Sequence, residues 1–226
     1  MHKLLWLFIP VILFIIQISL EITLPNSVLR PLHGENGPVE LLQFFVISAA
    51  FFVATSILLK MDRKKQKWVT AWISIAAICS FYVAWEEISW GQHILEWHTP
   101  EFWSQVNDQQ ETNLHNVSSW LDQKPRLLLE IGVLVGGLII PAIMAFKSKL
   151  LPERFTIIYP PAQICVTAGI AVIVKVTEKV GDAMDIVFFE RGSEIIEFYL
   201  FYFVLLYLLE MRKRLVKKRT RINKIS

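Results

Sequence analysis

Residues 41–59 read LLQFFVISAAFFVATSILL, nineteen positions without a charged side chain. A helix of this length and hydropathy can cross the ~30 Å hydrocarbon layer of a membrane. Similar stretches lie on both sides of it, and together they predict spans at residues 4–20, 41–59, 68–87, 127–146, 155–174 and 194–210. Spans of this kind must be helical, because lipid offers no hydrogen-bond partner to an open backbone. We therefore predict an all-α polytopic membrane protein with six transmembrane helices, forming one membrane domain at residues 1–226.

The composition of the whole chain agrees with this class. Of the 226 residues, 54% are hydrophobic and 19% are charged, and the mean hydropathy is +0.46. These values exclude an ordinary water-soluble domain. Both cysteines, Cys79 and Cys165, fall inside predicted spans, so neither a disulfide framework nor a cysteine metal site is expected.

Basic residues are divided unequally between the connections. Of the 23 Lys and Arg residues, 17 lie at the N-terminus, at residues 60–67 and 147–154, and in the tail 212–226. The positive-inside rule then places both termini in the cytoplasm and the connections 21–40, 88–126 and 175–193 outside. We expect a protein of the bacterial cytoplasmic membrane, whose basic tail anchors its topology at the inner leaflet and binds no nucleic acid.

Acidic residues concentrate on the opposite side. The predicted outer half carries 17 of the 20 Asp and Glu residues and four of the five histidines. The positive-inside rule does not explain this, because acidic residues contribute little to orientation. We therefore expect a site built from carboxylates and imidazoles at the outer boundary of the membrane.

The first group of candidate residues lies in the stretch WEEISWGQH at residues 85–93. Glu86 and Glu87 come at the outer end of the third span, where an ionisable side chain is costly unless it serves a function. If the helix continues past them, Glu86 and His93 lie on one face of it. We predict Glu86, Glu87 and His93 as catalytic residues. The alternative is a structural pair that salt-bridges a neighbouring helix, for instance through Lys175.

A second group lies further along the same outer connection. Glu111 and His115 are four positions apart, which lets a carboxylate and an imidazole share one ligand if the segment is helical. This ligand chemistry suits a divalent metal such as zinc or manganese. We predict Glu111 and His115 as metal ligands, with Asn116 in support, although such pairs also occur on solvated helix faces.

The start of the last span supplies further carboxylates. The helix dipole stabilises an acid in a first turn, which is a sufficient structural account of Glu194. Glu197 lies one turn deeper, where the dipole effect has faded, and is the better functional candidate. We predict both as supporting residues of the site.

Three short motifs within residues 86–116 resemble a known family. The runs EEISWGQ at 86–92, W-x-T-P-E at 97–101 and ETNLHN at 111–116 are similar to those of uncharacterised bacterial multi-pass membrane proteins. That resemblance implies a multi-pass membrane fold and no particular activity.

A fainter likeness is to the CAAX-type intramembrane endopeptidases, whose E-E-x-x-x-R helix works with two histidine-bearing helices on a water or a metal. The matching positions here are Glu86, Glu87 and His115. The chain departs from that pattern with Gly91 in place of Arg and Glu111 in place of Phe, and no histidine follows His115.

These observations favour a membrane-embedded hydrolase that acts on an amide or ester of a peptide or lipid. Glu86 or Glu87 would act as the general base, and the histidines and Glu111 would orient water directly or through a metal. Two alternatives stay open. The same acids could bind cations or protons in a transporter, or the protein could be a non-enzymatic assembly or scaffold partner in the cell envelope.

Overall fold

The computed structural model describes residues 1–34, 37–95, 97–106, 112 and 119–222, with side chains at all of these except 93–94, 119–123, 148 and 217–222. The described chain is helical apart from short connections and contains no strand. The prediction of an all-α protein is confirmed. In chain order the helices are α1 (Ile9–Thr23), α2 (Asn26–Leu32), α3 (Pro38–Lys60), α4 (Lys67–Glu87), α5 (Gln92–Leu95), α6 (Glu101–Val106), α7 (Ser119–Leu134), α8 (Ile140–Phe146), α9 (Cys165–Met184) and α10 (Gly192–Ile222).

Five of the described helical stretches are long and apolar enough to cross a membrane. They are Leu4–Thr23, Pro38–Lys60, Lys67–Glu87, Lys124–Phe146 and Gly192–Val216. The first adds a π-helical turn, Leu4–Phe8, to α1, and the fourth joins α7 to α8 through a π-helical turn, Val135–Ile139. Because a long apolar helix is stable in lipid, these five indicate a membrane protein.

Helix α10 lies at the centre of the bundle. It packs against α3 and α9 and contacts α7, while α4 packs on α3 and α1 packs on α9. In its spanning window 61% of the residues are buried inside the protein, against 6% in the N-terminal helix. A helix that is apolar all round is expected at such a central position, and this one carries the buried run Phe198–Phe203.

Two tyrosines of α10 hold the irregular start of the N-terminal helix. In a π-helix the carbonyl of Leu5 would accept a hydrogen bond from the backbone N–H of residue 10. Residue 10 is a proline and has no N–H, so this bond cannot form. Instead the hydroxyl of Tyr202 donates to the Leu5 oxygen at 2.7 Å, and the hydroxyl of Tyr199 donates to the Pro10 oxygen at 2.9 Å. Polar groups freed inside lipid need such replacements, so α10 fixes the N-terminal helix in position.

The helix expected at residues 155–174 differs in position from α9. Residues 155–164 form short turns, and α9 begins at Cys165 and runs on to Met184. Pro160 and Pro161 disfavour a helix through this point. The carbonyls just before them are bound by α10 instead, because the hydroxyl of Tyr207 donates to Ile158 and the guanidinium of Arg214 donates to Tyr159.

The first outer connection is more regular than its Pro and Gly content suggests. Three prolines and two glycines between residues 21 and 40 are typical of an irregular loop, but α1 continues to Thr23 and α2 follows at Asn26–Leu32. Just after α2, His33 is buried, and its ring contacts the carbonyl of Leu29 at 3.0 Å and the side chain of Gln17 at 2.9 Å. These contacts tie α2 to α1.

Candidate functional site

Helix α4 ends at Glu87, and the chain then turns sharply. Ser89 and Trp90 have φ values of +46° and +55°, and Gly91 has +88°. The continuous helix that would align Glu86 with Trp90 and His93 is therefore absent, and the expectation of a shared face is wrong. A left-handed backbone at two consecutive non-glycine residues is costly and typically persists where surrounding contacts enforce it.

Thr112 supplies some of those contacts. Its hydroxyl donates to the carbonyl of Ser89 at 2.9 Å, and its backbone N–H donates to the side-chain oxygen of Gln92 at 2.8 Å. The amide of Gln92 in turn donates to the hydroxyl of Thr99 at 2.8 Å. Ser89, Gln92 and Thr112 are all buried, so these bonds fix the turn that follows the paired glutamates.

Five glutamates interact electrostatically around the end of α4, and we call them the glutamate cluster. The carboxylates of the other four members all lie close enough to Glu87 to repel its negative charge. The cluster comes from one end each of α3, α4 and α10, and its members are Glu40, Glu86, Glu87, Glu194 and Glu197. Repulsion between close carboxylates is relieved by cations, by bound protons or by hydrogen-bond donors.

Glu86 and Glu87 have different surroundings. Glu86 is buried, with 4% of its surface exposed, and accepts a hydrogen bond from the indole N–H of Trp90 at 2.7 Å. The ring of Trp90 stacks on that of Trp85, with centroids 6.1 Å apart. Glu87 is only partly buried. Of the two, Glu87 is therefore the better placed to meet a bound molecule.

One member of the cluster, Glu197, is paired with a cationic side chain, Arg126 of α7. Arg126 donates to Glu197 at 2.8 Å and to Glu130 at 3.2 Å, and Lys175 lies 3.2 Å from Glu130. Arg126 also donates to the carbonyl of Ser193 at 3.3 Å. Lys175, which we considered as a partner for the α4 glutamates, instead pairs with Glu130 and Glu178.

Glu87 and Glu194 have no such cationic partner in the described part of the chain, where no Lys, Arg or His nitrogen lies within 4.0 Å of either carboxylate. Gln43 of α3 donates to the main-chain oxygen of Glu194 at 2.8 Å and to its carboxylate at 3.4 Å. These two glutamates therefore present negative charge, together with the amide of Gln43.

The predicted metal ligands fall outside the described residues. This applies to Glu111, His115 and Asn116, whereas His93 lies in α5 with only its backbone described. Within the described residues, no three His, Cys, Asp or Glu side chains come close enough to hold a metal ion together. Of the predicted site residues, the structure brings together Glu86, Glu87, Glu194 and Glu197.

Sequence reasoning missed three members of this arrangement. Glu40 and Gln43 lie at the start of the second span, and Arg126 comes just before the fourth. A signal was present, because a glutamine inside an apolar stretch and an arginine at the edge of one both require polar partners. Their partners could not be named, since these are far away in the sequence.

Comparisons of the chain with family profiles, with curated proteins and with solved structures gave no match.

Proposed function

We propose that the chain crosses the bacterial cytoplasmic membrane six times, with both termini inside and the glutamate cluster outside. Helix α9 would be the one span added to the five long apolar helices, and the fifth in chain order. Support comes from the basic residues that follow α8 and from those in the last turns of α10, because two successive spans that both end inside need a return segment between them. Helix α9 packs against α1 and α10, and its buried apolar side chains all precede Lys175.

The orientation can be tested by labelling single cysteines in a variant without Cys79 and Cys165. Gln105 and Lys65 are exposed on opposite sides of the proposed membrane. An impermeant thiol reagent added to intact cells should label Gln105→Cys and leave Lys65→Cys unlabelled until the cells are opened. Labelling of Lys65→Cys alone would reverse the orientation, and labelling of both in intact cells would contradict the six-span arrangement.

We propose that the protein is a membrane-embedded hydrolase acting on an amide or ester of a peptide or lipid, with Glu87 as general base. The observation that carries this is the position of Glu87, which is partly buried, among four other carboxylates and without an ion pair in the described chain. Glu87 would take a proton from water while the water oxygen adds to the carbonyl carbon, and the proton would pass to the leaving group.

The turn after Glu87 supports this assignment. Its left-handed residues and the hydrogen bonds of Thr112 hold the end of α4 in a fixed geometry, as a base requires. Thr112 lies in the ETNLHN motif, whose Glu111, His115 and Asn116 remain predictions for orienting water or a zinc or manganese ion. His93 likewise remains a predicted catalytic residue.

The glutamate cluster also favours one alternative, a transporter coupled to cations or protons. Negative side chains in excess of their cationic partners are typical of ion sites at membrane depth. A transporter needs a polar path across the membrane. The spanning parts of α3 and α4 carry no charged side chain between Glu40 and Lys60 or between Lys67 and Glu86, which argues against such a path along these helices.

Glu87→Gln tests the hydrolase proposal. Purified protein in liposomes would be given lipid esters, lipid amides and membrane peptides, and the products identified by mass spectrometry. We expect wild-type turnover and a loss of about a hundredfold or more in Glu87→Gln, with an unchanged or higher unfolding temperature because a repulsive charge is removed. The control Glu178→Gln, outside the cluster, should keep full activity.

Full activity in Glu87→Gln would remove it as the base. If the wild type hydrolyses none of these substrates but moves protons or cations in a Glu87-dependent way, the transporter alternative replaces the hydrolase.

A further inference from the structure

The most unusual polar group in the glutamate cluster region is the side-chain oxygen of Gln43. Gln43 is fully buried, and this oxygen has no hydrogen-bond partner among the described residues. The orientation of the amide is fixed, because its nitrogen donates to the main-chain oxygen of Glu194 at 2.8 Å. Flipping the amide would set two acceptors against each other. A buried acceptor without a donor is costly, so the site lacks a donor at this point.

The charges around Gln43 show what kind of donor is missing. The Gln43 amide lies against Glu194, whose carboxylate is 3.4 Å from the amide nitrogen. Glu194 and Glu87 are within electrostatic reach of each other, and in the described chain neither has a cationic partner. A cation with N–H groups could donate to the Gln43 oxygen and to Glu194, and its charge would offset that of Glu87.

The geometry favours an organic cation over a metal ion. No three acidic or histidine side chains of the described chain come close enough to share a metal, although the carboxylates interact over longer range. A primary ammonium group has three N–H donors, which matches the Gln43 oxygen and the two carboxylates in number. A quaternary ammonium has no N–H and would leave the oxygen unsatisfied.

The surroundings indicate where such a group comes from. The site lies at the ends of three helices with apolar surfaces, which is the depth of lipid headgroups. Leu42, next to Gln43 in α3, is exposed and offers apolar contact for an acyl chain. Glu87 and Glu194 are only partly buried, so a headgroup can reach their carboxylates from the bilayer. Its ammonium would contact the covered Gln43 oxygen once a neighbouring side chain moves aside.

We propose that Gln43 and Glu194 bind the primary ammonium group of an aminophospholipid, beside Glu87. This inference deepens the proposed function. The binding of the lipid does not depend on hydrolysis, but the role of that lipid as the substrate rests on the proposed function. The bound ammonium would also reduce the repulsion within the glutamate cluster. Ethanolamine phospholipids are the simplest lipids with this chemistry.

The test is lipid binding measured without turnover. Protein in bilayer discs of phosphatidylcholine with a minor share of phosphatidylethanolamine would be released, and the retained lipids counted by native mass spectrometry. We expect retained phosphatidylethanolamine to be enriched about tenfold or more, as charge-assisted hydrogen bonds imply. Retention should fall as the headgroup nitrogen is methylated stepwise.

Gln43→Leu and Glu194→Gln should abolish the enrichment. Glu194→Gln leaves the main-chain oxygen that holds Gln43 and so keeps the fold. The matched control is Gln66→Leu, because Gln66 also has a buried oxygen without a partner in the described chain but lies before α4 at the other end of the bundle. This control should retain the lipid as the wild type does.

Several results would overturn the proposal. They are equal retention of the two lipids, unchanged enrichment in Glu194→Gln, displacement of the lipid by free ethanolamine at equal concentration, and tight binding of calcium or sodium at Gln43 in its place. Selective binding together with no hydrolysis of any tested lipid or peptide would contradict the proposed function alone. Glu87-dependent hydrolysis without selective binding would contradict this inference alone.

Discussion

Replacing Gly137 with alanine should destabilise the protein more than any other single methyl group added to the bundle. A Cβ atom at Gly137 would lie 2.3 Å from the Cβ of Ala168 in α9 and 2.9 Å from the ring of Phe203 in α10. The Ala168 methyl cannot rotate away, so the helices themselves must move apart. Overpacking of this kind costs about 1–3 kcal/mol or more, and we expect Gly137→Leu to yield no folded protein. The measurement is thermal unfolding in detergent.

Gly132, five residues earlier, provides the matched control. A Cβ atom there meets no heavy atom of the described chain within 4 Å. Alanine has the higher helix propensity by up to about 1 kcal/mol, so Gly132→Ala should unfold at the same temperature as the wild type or higher. Equal effects of the two substitutions would contradict the close packing of the π-helical turn on α9 and α10.

Arg126→Met should produce the second large loss of stability. Arg126 is 18% exposed and bonds to Glu197, Glu130 and the carbonyl of Ser193. Its removal leaves the carboxylate of Glu197 beside the other glutamates without this cation. Removing one partner of a buried ion pair lowers the free energy of unfolding by about 3–5 kcal/mol. Because Arg126 is partly exposed, we expect a loss of about 3 kcal/mol. Unfolding by heat or denaturant in detergent would measure it.

Two further variants separate this effect from a general loss of charge. Lys179→Met removes an exposed pair with Asp182 and should cost less than about 1 kcal/mol. Adding Glu197→Gln to Arg126→Met should restore part of the lost stability, because the uncompensated charge disappears. If the double variant is no more stable than Arg126→Met, the loss does not arise from the cluster.

The site was predictable as a region but not as an arrangement. Glu86 and Glu87 were found because two carboxylates at the end of an apolar stretch are costly. Which of the two glutamates is buried and which can meet a bound molecule depends on a turn at Ser89 and Trp90. The residue types in this stretch do not indicate that these two residues have a left-handed backbone. Trp90 still donates a hydrogen bond to Glu86, but it does so from the turn and not from a continuous helix.

The helix ends were least predictable where proline and side-chain bonding compete with hydropathy. Residues 155–164 are apolar enough to extend a span, but Pro160 and Pro161 and the donors Tyr207 and Arg214 hold them outside a helix. Conversely, the Pro- and Gly-rich connection 21–40 contains α2, because His33 and Gln17 bond it to α1.

The sequence by itself determined the class of the protein, the approximate positions of five long apolar helices, and the separation of bases from acids along the chain. Hydropathy and charge act over a few neighbouring residues, so a local pattern is enough to predict them. Only the tertiary structure decided that Glu40, Gln43 and Arg126 join the paired glutamates. Gln43 bonds to Glu194 across 151 positions and Arg126 to Glu197 across 71, and contacts at such separations depend on how α3, α7 and α10 pack.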